Sequence, residues 1–348
     1  MTVYIVSPAT TQEPIGGIRK IYDQVDILNG AGIDAAVIQG KPGYRPTWFP
    51  NTTRIEYAPV EVRGDDLLVW PEYLLRHVRP DGVRQVVAAL NAYGLFADDS
   101  LERHPFADRS VAAVTVVSDD NAEYVRYGWP HLDVQVLRPG IDPSVFFPGT
   151  SKRQIAYSPR KRYPAVRQVI GLLRERGALD GWQLAPIVGM NETRVAATLR
   201  ESALFLSFSE REGLGLPPLE ALASGCQVIG FTGVGGREFF GTPYAEAIPE
   251  DDVVAYARAV ESWLAHYDET TASARGRDGS KWVLERYSVE QERAATIDFY
   301  ARLLAMPPAT GTSIVHPSET WGFHDRPRSA VRIGLGQVRA GLRTMRGR

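Results

Sequence analysis

Short β-branched runs alternate with helical patterns along most of the chain. In the first part VYIVS (3–7), DAAVIQ (34–39), LLVW (67–70), VVAAL (86–90), AAVTVVS (112–118) and DVQVL (133–137) read as strands. Helical patterns at 18–30, 74–84 and 119–127 lie between them. In the second part QIAYS (154–158), WQLAPIV (182–188), ALFLSF (203–208), QVIGF (227–231) and YAEAI (244–248) read as strands. Helices at 164–176, 191–201, 217–224, 251–267 and 289–305 go with them. Strands apolar on every residue, separated by helices, belong to parallel sheets covered on both faces. The expected class is therefore α/β, with two Rossmann-like domains in series. A chain of 348 residues also exceeds what one ordinary core serves. The joint falls in RPGIDPSVFFPGTSKR (138–153), which is rich in Pro, Gly and Ser and has no periodicity.

Composition excludes several functions. Net charge is −2, so no global field recruits nucleic acid. The single cysteine, Cys226, forms no internal disulfide and suits a reducing compartment. No apolar run approaches the roughly 18 residues of a membrane span. The start, MTVYIVSPAT, lacks the charged and apolar regions of a signal peptide. A cytoplasmic protein is expected.

The region after Pro307 has turn residues throughout, and from Arg326 onward it carries seven arginines and no acid. Val331, Leu335, Val338, Leu342 and Met345 fall on one helical face, beside Arg332, Arg339, Arg343 and Arg346. One reading is a basic amphipathic helix in peripheral contact with an anionic membrane. The other is a frayed tail, or a helix packed back on the body; Gly334, Gly336 and Gly341 each weaken a helix by about 1 kcal/mol.

The chemistry concentrates in FLSFSEREGLGLPPLEALASGCQVIGF, 205–231. A strand ends at an acid, Glu212; a glycine loop follows; two prolines open a helix; and Glu220 stands in its first turn. Ligands of open α/β sheets bind beyond the carboxyl ends of strands. Gly213 and Gly215 let backbone N–H groups approach a ligand closely, and the helix start favours an anion. Pro217 and Pro218 donate nothing, which leaves the amides of 213–216 and 219–220. A carboxylate accepts two hydrogen bonds side by side and so suits the vicinal hydroxyls of a ribose. A nucleoside, a diphosphate and a sugar fit this line of contacts. The bland alternative is that Glu220 only complements a helix start, worth about 0.3–1 kcal/mol.

EGLGLPPLEALASGCQVIGF resembles the signature of GT-B-fold retaining glycosyltransferases of the family 4 type, the group 1 glycosyltransferases with an E-x7-E motif. IGGIRKIYDQVDILNGAGIDAAVI is similar to their N-terminal Gly-Gly loop and first helix. LRPGIDPSVFFPG is similar to their interdomain connection, GVGGREFF to the loop after the next strand, and YSVEQERAATIDFYARLL to their closing helices. The resemblance covers roughly 1–305. It implies a GT-B arrangement of two Rossmann-like domains facing across a cleft. The acceptor domain would be 1–142 and the nucleotide-sugar domain 143–288. A closing helix at 289–306 would return to the first domain, with a linker and tail at 307–348.

The same resemblance implies transfer of a sugar from a nucleotide diphosphate to an acceptor hydroxyl with retained configuration. Glu220 would bind the ribose and Glu212 the sugar hydroxyls. Gly213, Leu214, Gly215 and Leu216 would offer backbone contacts to sugar and phosphate, and Gly16 and Gly17 would approach the diphosphate. Arg160 and Lys161 would neutralise the leaving diphosphate, with Arg162 as substitute; the family spaces its two basic residues further apart. Asn91 stands where many relatives carry a histidine, and would hydrogen-bond a sugar hydroxyl. No D-x-D occurs, so no metal site and no resident cofactor are expected; the nucleotide sugar is a substrate. The acceptor is left open among a glycan, a lipid-linked glycan and a small molecule. A GT-B nucleotide-sugar epimerase and a catalytically inactive relative are the alternatives. No G-x-G-x-x-G follows the first strand, which argues against a dinucleotide-dependent oxidoreductase.

Overall fold

The computed structural model describes residues 1–8, 15–79, 82–97, 104–107 and 111–320. They form two compact units, Met1–Gly140 with the stretch that starts at Val289, and Ile141–Ser288.

The first unit contains strands β1 (Val3–Ser7), β2 (Ala35–Gln39), β3 (Ile55–Tyr57), β4 (Val60–Arg63), β5 (Leu67–Pro71), β6 (Arg84–Ala89), β7 (Val111–Val116) and β8 (Val134–Val136). All but β4 join one parallel sheet in the order β3-β2-β1-β5-β6-β7-β8. Every residue of β1, β2, β5 and β6 is buried, which is why these runs read as largely apolar sequence; in β6 the first two residues, Arg84 and Gln85, are buried polar exceptions. Helix α1 (Gly16–Gly30) lays Ile18, Ile21, Tyr22, Val25 and Leu28 into the core under the sheet. Their spacing of three and four puts them on one face. Helix α2 (Asp119–Gly128) starts where the Ser118 hydroxyl accepts from the Asn121 N–H.

The second unit contains β9 (Lys152–Tyr157), β10 (Gln183–Pro186), β11 (Ser202–Glu212), β12 (Gln227–Val234) and β13 (Ala245–Ala247), parallel in the order β10-β9-β11-β12-β13. Its helices are α3 (Tyr163–Glu175), α4 (Glu192–Arg200), α5 (Leu216–Ala223), α6 (Val253–Ala265) and α7 (Glu269–Arg286). Asn191, Asp252 and Asp268 cap α4, α6 and α7 through their side chains.

After α7 the chain re-enters the first unit as α8 (Val289–Leu304) and β14 (Thr312–Val315). Phe299, Tyr300 and Leu303 of α8 join the α1 side of the first core. Buried Arg84 donates to the carbonyls of Leu303 (2.6 Å), Met306 (3.2 Å) and Asp65 (2.7 Å). A cation there closes the carbonyl end of the helix. β14 pairs antiparallel with β4.

Two α/β units are present, as the alternation of runs predicts, but several elements differ. The helix expected over 74–84 is only a 3-10 turn at Glu72–His77, and the chain is already in β6 at Arg84. β3, β4 and α7 are elements the sequence reading lacks. The stretch after Pro307 is not turns throughout, since it supplies β14 and a 3-10 turn at Pro317–Thr320. The basic stretch read as a tail helix lies outside the described residues. Among the described residues no helix is long and apolar enough to cross a membrane.

Candidate functional site

In the second unit the sheet order reverses between β9 and β11. They are neighbours in the sheet, while β10, between them in sequence, lies on the far side of β9. A pocket opens at the carboxyl ends of these two strands, where open α/β sheets bind ligands. Ser158, Arg160 and Lys161 line it after β9, Ser209 and Glu212 at the end of β11, and Pro217 and Pro218 in the first turn of α5.

The walls are shaped by backbone distortion. β11 pairs with β12 through Ser209↔Thr232, then through Glu212↔Val234, with an irregularity between. Such a bulge re-aims the side chain that follows it, here Glu212. Two non-glycine residues adopt positive φ at these strand tips, Arg211 (46°) and Val234 (69°). Gly235 is required by contact: a Cβ there would lie 2.3 Å from the Gly213 carbonyl oxygen and 2.5 Å from that of Glu212. Gly215, at φ 101°, turns the chain into α5. Prolines 217 and 218 have no N–H and the Leu219 N–H closes the first helical turn onto the Gly215 carbonyl, so the helical pattern leaves the amides of Gly215 and Leu216 as donors at its positive end.

Lys161 Nζ lies 2.7 Å from Glu212 Oε2, with 32% and 19% of the side chains exposed. Arg160 is exposed and lines the same mouth. Arg162 is not available as a substitute. Its guanidinium bonds Glu250 (2.6 Å) and Asp251 (2.7 Å) and sits 4.7 Å above the Phe231 ring. It ties the start of α3 to the loop before α6.

The structure therefore brings Arg160, Lys161 and Glu212 to one pocket. Gly213, Leu214 and Gly215 are buried in the adjoining loop; Leu216 and Glu220 are half-buried on α5. Gly16, Gly17 and Asn91 belong to the first unit. Gly16 and Gly17 open α1, and the Asn91 side chain accepts from the Tyr93 N–H at 3.2 Å, capping a 3-10 turn. Sequence reasoning missed Ser158, Ser209 and the strained Val234. The GVGG string was the available signal for the last of these. Among the described residues no three His, Cys, Asp or Glu side chains converge to hold a metal ion.

Residues 184–278 match the family model of glycosyl transferases group 1. An alpha-1,6-glucosyltransferase of Actinobacillus pleuropneumoniae serotype 7 (strain AP76) is 30% identical over 188 residues, 49% of this chain and 56% of that protein. The chain thus spans little more than half the length of this relative. Among solved structures, sucrose-phosphate synthase from Thermosynechococcus elongatus superposes with a TM-score of 0.61 over 87% of this chain and 99% of that one, at 16% identity. The pneumococcal O-GlcNAc transferase GtfA, solved with UDP and GlcNAc, does so with a TM-score of 0.62 over 87% and 98%, at 9% identity. The segment that carries Glu212, the glycine loop and α5 is thus a match to the group 1 glycosyl transferase model, within an α/β fold of two Rossmann-like units shared with solved GT-B glycosyltransferases.

Proposed function

We propose that the chain is a retaining, metal-independent glycosyltransferase that moves a hexosyl group from a nucleotide diphosphate sugar to an acceptor hydroxyl. The observation that carries this is the convergence of Arg160, Lys161 and Glu212 on one pocket at the reversal point of the second sheet, beside the start of α5. In the reaction the bond from the anomeric carbon to the diphosphate oxygen breaks. The acceptor oxygen bonds that carbon from the same face, and its proton passes to the departing phosphate. Arg160, Lys161 and the 213–216 amides stabilise the charge on the diphosphate, a kind of term that is often the largest in catalysis. Glu212 accepts from sugar hydroxyls while positive charge builds on the ring, and Glu220 accepts from the ribose. Gly16, Gly17 and Asn91 are assigned to the diphosphate and the sugar.

The relative named an alpha-1,6-glucosyltransferase supports glucose as the transferred group and a sugar 6-hydroxyl as its target. An α product from α-linked UDP-glucose is retention. Glycan synthesis in a bacterium is the setting this favours, with a free glycan, a lipid-linked glycan or a small molecule as acceptor. The test is thermal stabilisation by UDP, GDP, ADP, dTDP and their sugars, with NAD and NADP as controls. A ligand at a hundred times its Kd adds about 2.7 kcal/mol to stability. A shift with one nucleoside diphosphate that is lost in Glu220→Ala supports the reading. A shift only with NAD or NADP overturns it.

A further inference from the structure

A buried contact outside the pocket bears on the pocket's shape. Tyr287 follows α7 and is 1% exposed; its N–H bonds the Val283 carbonyl and its own carbonyl accepts from Ile141. Its phenol donates to Glu238 Oε1 at 2.8 Å. Burial, and then the Glu238 charge, push the hydroxyl well above the usual tyrosine range, so it remains a donor at any physiological pH.

Glu238 closes a 3-10 turn, Gly235–Glu238, that follows β12 without a break. This turn does not line the candidate pocket, but it backs the Glu212–Gly213 segment that does: Val234 pairs with Glu212 across the sheet. Gly235 lies against the Glu212–Gly213 backbone too closely for any side chain. Val234, one residue earlier, is held at φ 69°, ψ −63°, a conformation that persists only where its surroundings over-determine it. Phe239, one residue after the turn, packs its ring 3.1 Å from a Cβ placed on Gly236 and 3.7 Å from one on Gly215. The same ring stands edge-on to Tyr287, 6.4 Å between centroids. The glycine loop, the strained turn and Tyr287 therefore form one packed unit, and the phenol–carboxylate bond ties its outer end to α7.

We propose that Tyr287 is a positioning residue of the nucleotide-sugar site: through Glu238 its hydroxyl fixes the Val234–Gly236 turn against the Glu212–Gly213 backbone. The inference rests on the reading that Glu212 and residues 213–216 hold the donor. It predicts a role for a side chain that does not line the pocket.

Two measurements on the full chain test it. The first is amide hydrogen exchange without ligand. Tyr287→Phe keeps the ring and loses only the hydroxyl, so peptides covering 234–240 exchange about tenfold faster while α6 keeps wild-type rates. The second is UDP-glucose affinity by calorimetry, which weakens about tenfold in the same variant for loss of a bond to a charged group. Glu238→Ala reproduces both effects, and the double variant is no worse than either single one. Glu238→Gln, which keeps an accepting oxygen, recovers most of the affinity. Wild-type exchange over 234–240 in Tyr287→Phe overturns the proposal, as does faster exchange with unchanged UDP-glucose affinity. Wild-type protein that binds no UDP-glucose or other nucleotide sugar sinks the donor reading instead, and the exchange measurement still decides whether Tyr287 holds the turn.

Discussion

Neutralising Glu212 should separate nucleotide affinity from turnover, in opposite directions. In the ligand-free protein Lys161 is paired with Glu212 at 2.7 Å. A diphosphate that reaches for Lys161 must compete with that carboxylate and also meets its negative charge. Both side chains are partly exposed, 32% and 19%, so water screens the pair. Exposed pairs of this kind measure about 0.2–1 kcal/mol. Glu212→Gln keeps the shape and one accepting oxygen but drops the charge, so UDP should bind up to about 1 kcal/mol tighter, roughly fivefold. Turnover should fall by about 10²–10³, the scale found when one preorganised electrostatic contact to a transition state is removed. The assay is UDP calorimetry on wild type and variant, beside initial rates with UDP-glucose and an acceptor. The affinity difference should shrink between about 0.1 M and about 1 M salt, as the Debye length falls from roughly 10 to roughly 3 Å. A tenfold loss of UDP affinity in Glu212→Gln, or turnover within threefold of wild type, would refute the reasoning.

Three further outcomes follow from the packing. Arg84→Ala strips three donated bonds from buried carbonyls of Leu303, Met306 and Asp65, and should cost about 3–5 kcal/mol; in a urea titration only the transition of the first unit should move. Gly235→Ala should abolish UDP-glucose turnover while the circular dichroism spectrum stays native, because its Cβ would meet the Gly213 carbonyl oxygen at 2.3 Å and displace the loop. His104 should make the first unit lose stability on acidification. Its Nε2 faces the Leu95 carbonyl and its Nδ1 accepts from the Phe106 N–H, so the ring is neutral, and burial holds its pKa below 6.5. The unfolded chain then takes up the proton first. The penalty begins below about pH 6.5 and is complete below the folded value, and it should vanish in melting curves of His104→Gln.

The parts of this fold that were legible are those in which one principle acts alone. β1, β2 and β5 are buried on both faces and declared themselves by unbroken apolar runs. α7 did not, because its burial is made by small residues. Gly276 meets the Gly225 carbonyl oxygen at 2.2 Å from an added Cβ, and Gly279 meets the Tyr244 ring at 3.1 Å. Glycines that let two backbones touch look in sequence like a loop. β3 and β14 are too short and too exposed to carry a period. At the site, Glu212 could be placed after a strand, but neither the bulge that aims it nor the positive φ of Arg211 has a sequence signature, and the GVGG string marks a tight turn without saying that Val234 is its strained residue. Arg160, Lys161 and Arg162 are alike in charge. Only the turn into α3 decides that the first two line the pocket while the third bonds Glu250 and Asp251.

The return of α8 to the first unit fixes the order in which this protein can be born. Domains usually fold as units in the order in which they leave the ribosome. Here Phe299, Tyr300 and Leu303 belong to the core made by β1, β2 and α1, yet they emerge after all of Ile141–Ser288. Among the described residues, the second unit has its whole sequence before the first one does. Until Leu303 appears, the Arg84 guanidinium and the apolar side chains of α1 wait without the helix that covers them. A nascent chain stalled near Ser288 should thus carry a finished second unit and an unfinished first one, and that first unit is where a chaperone would bind.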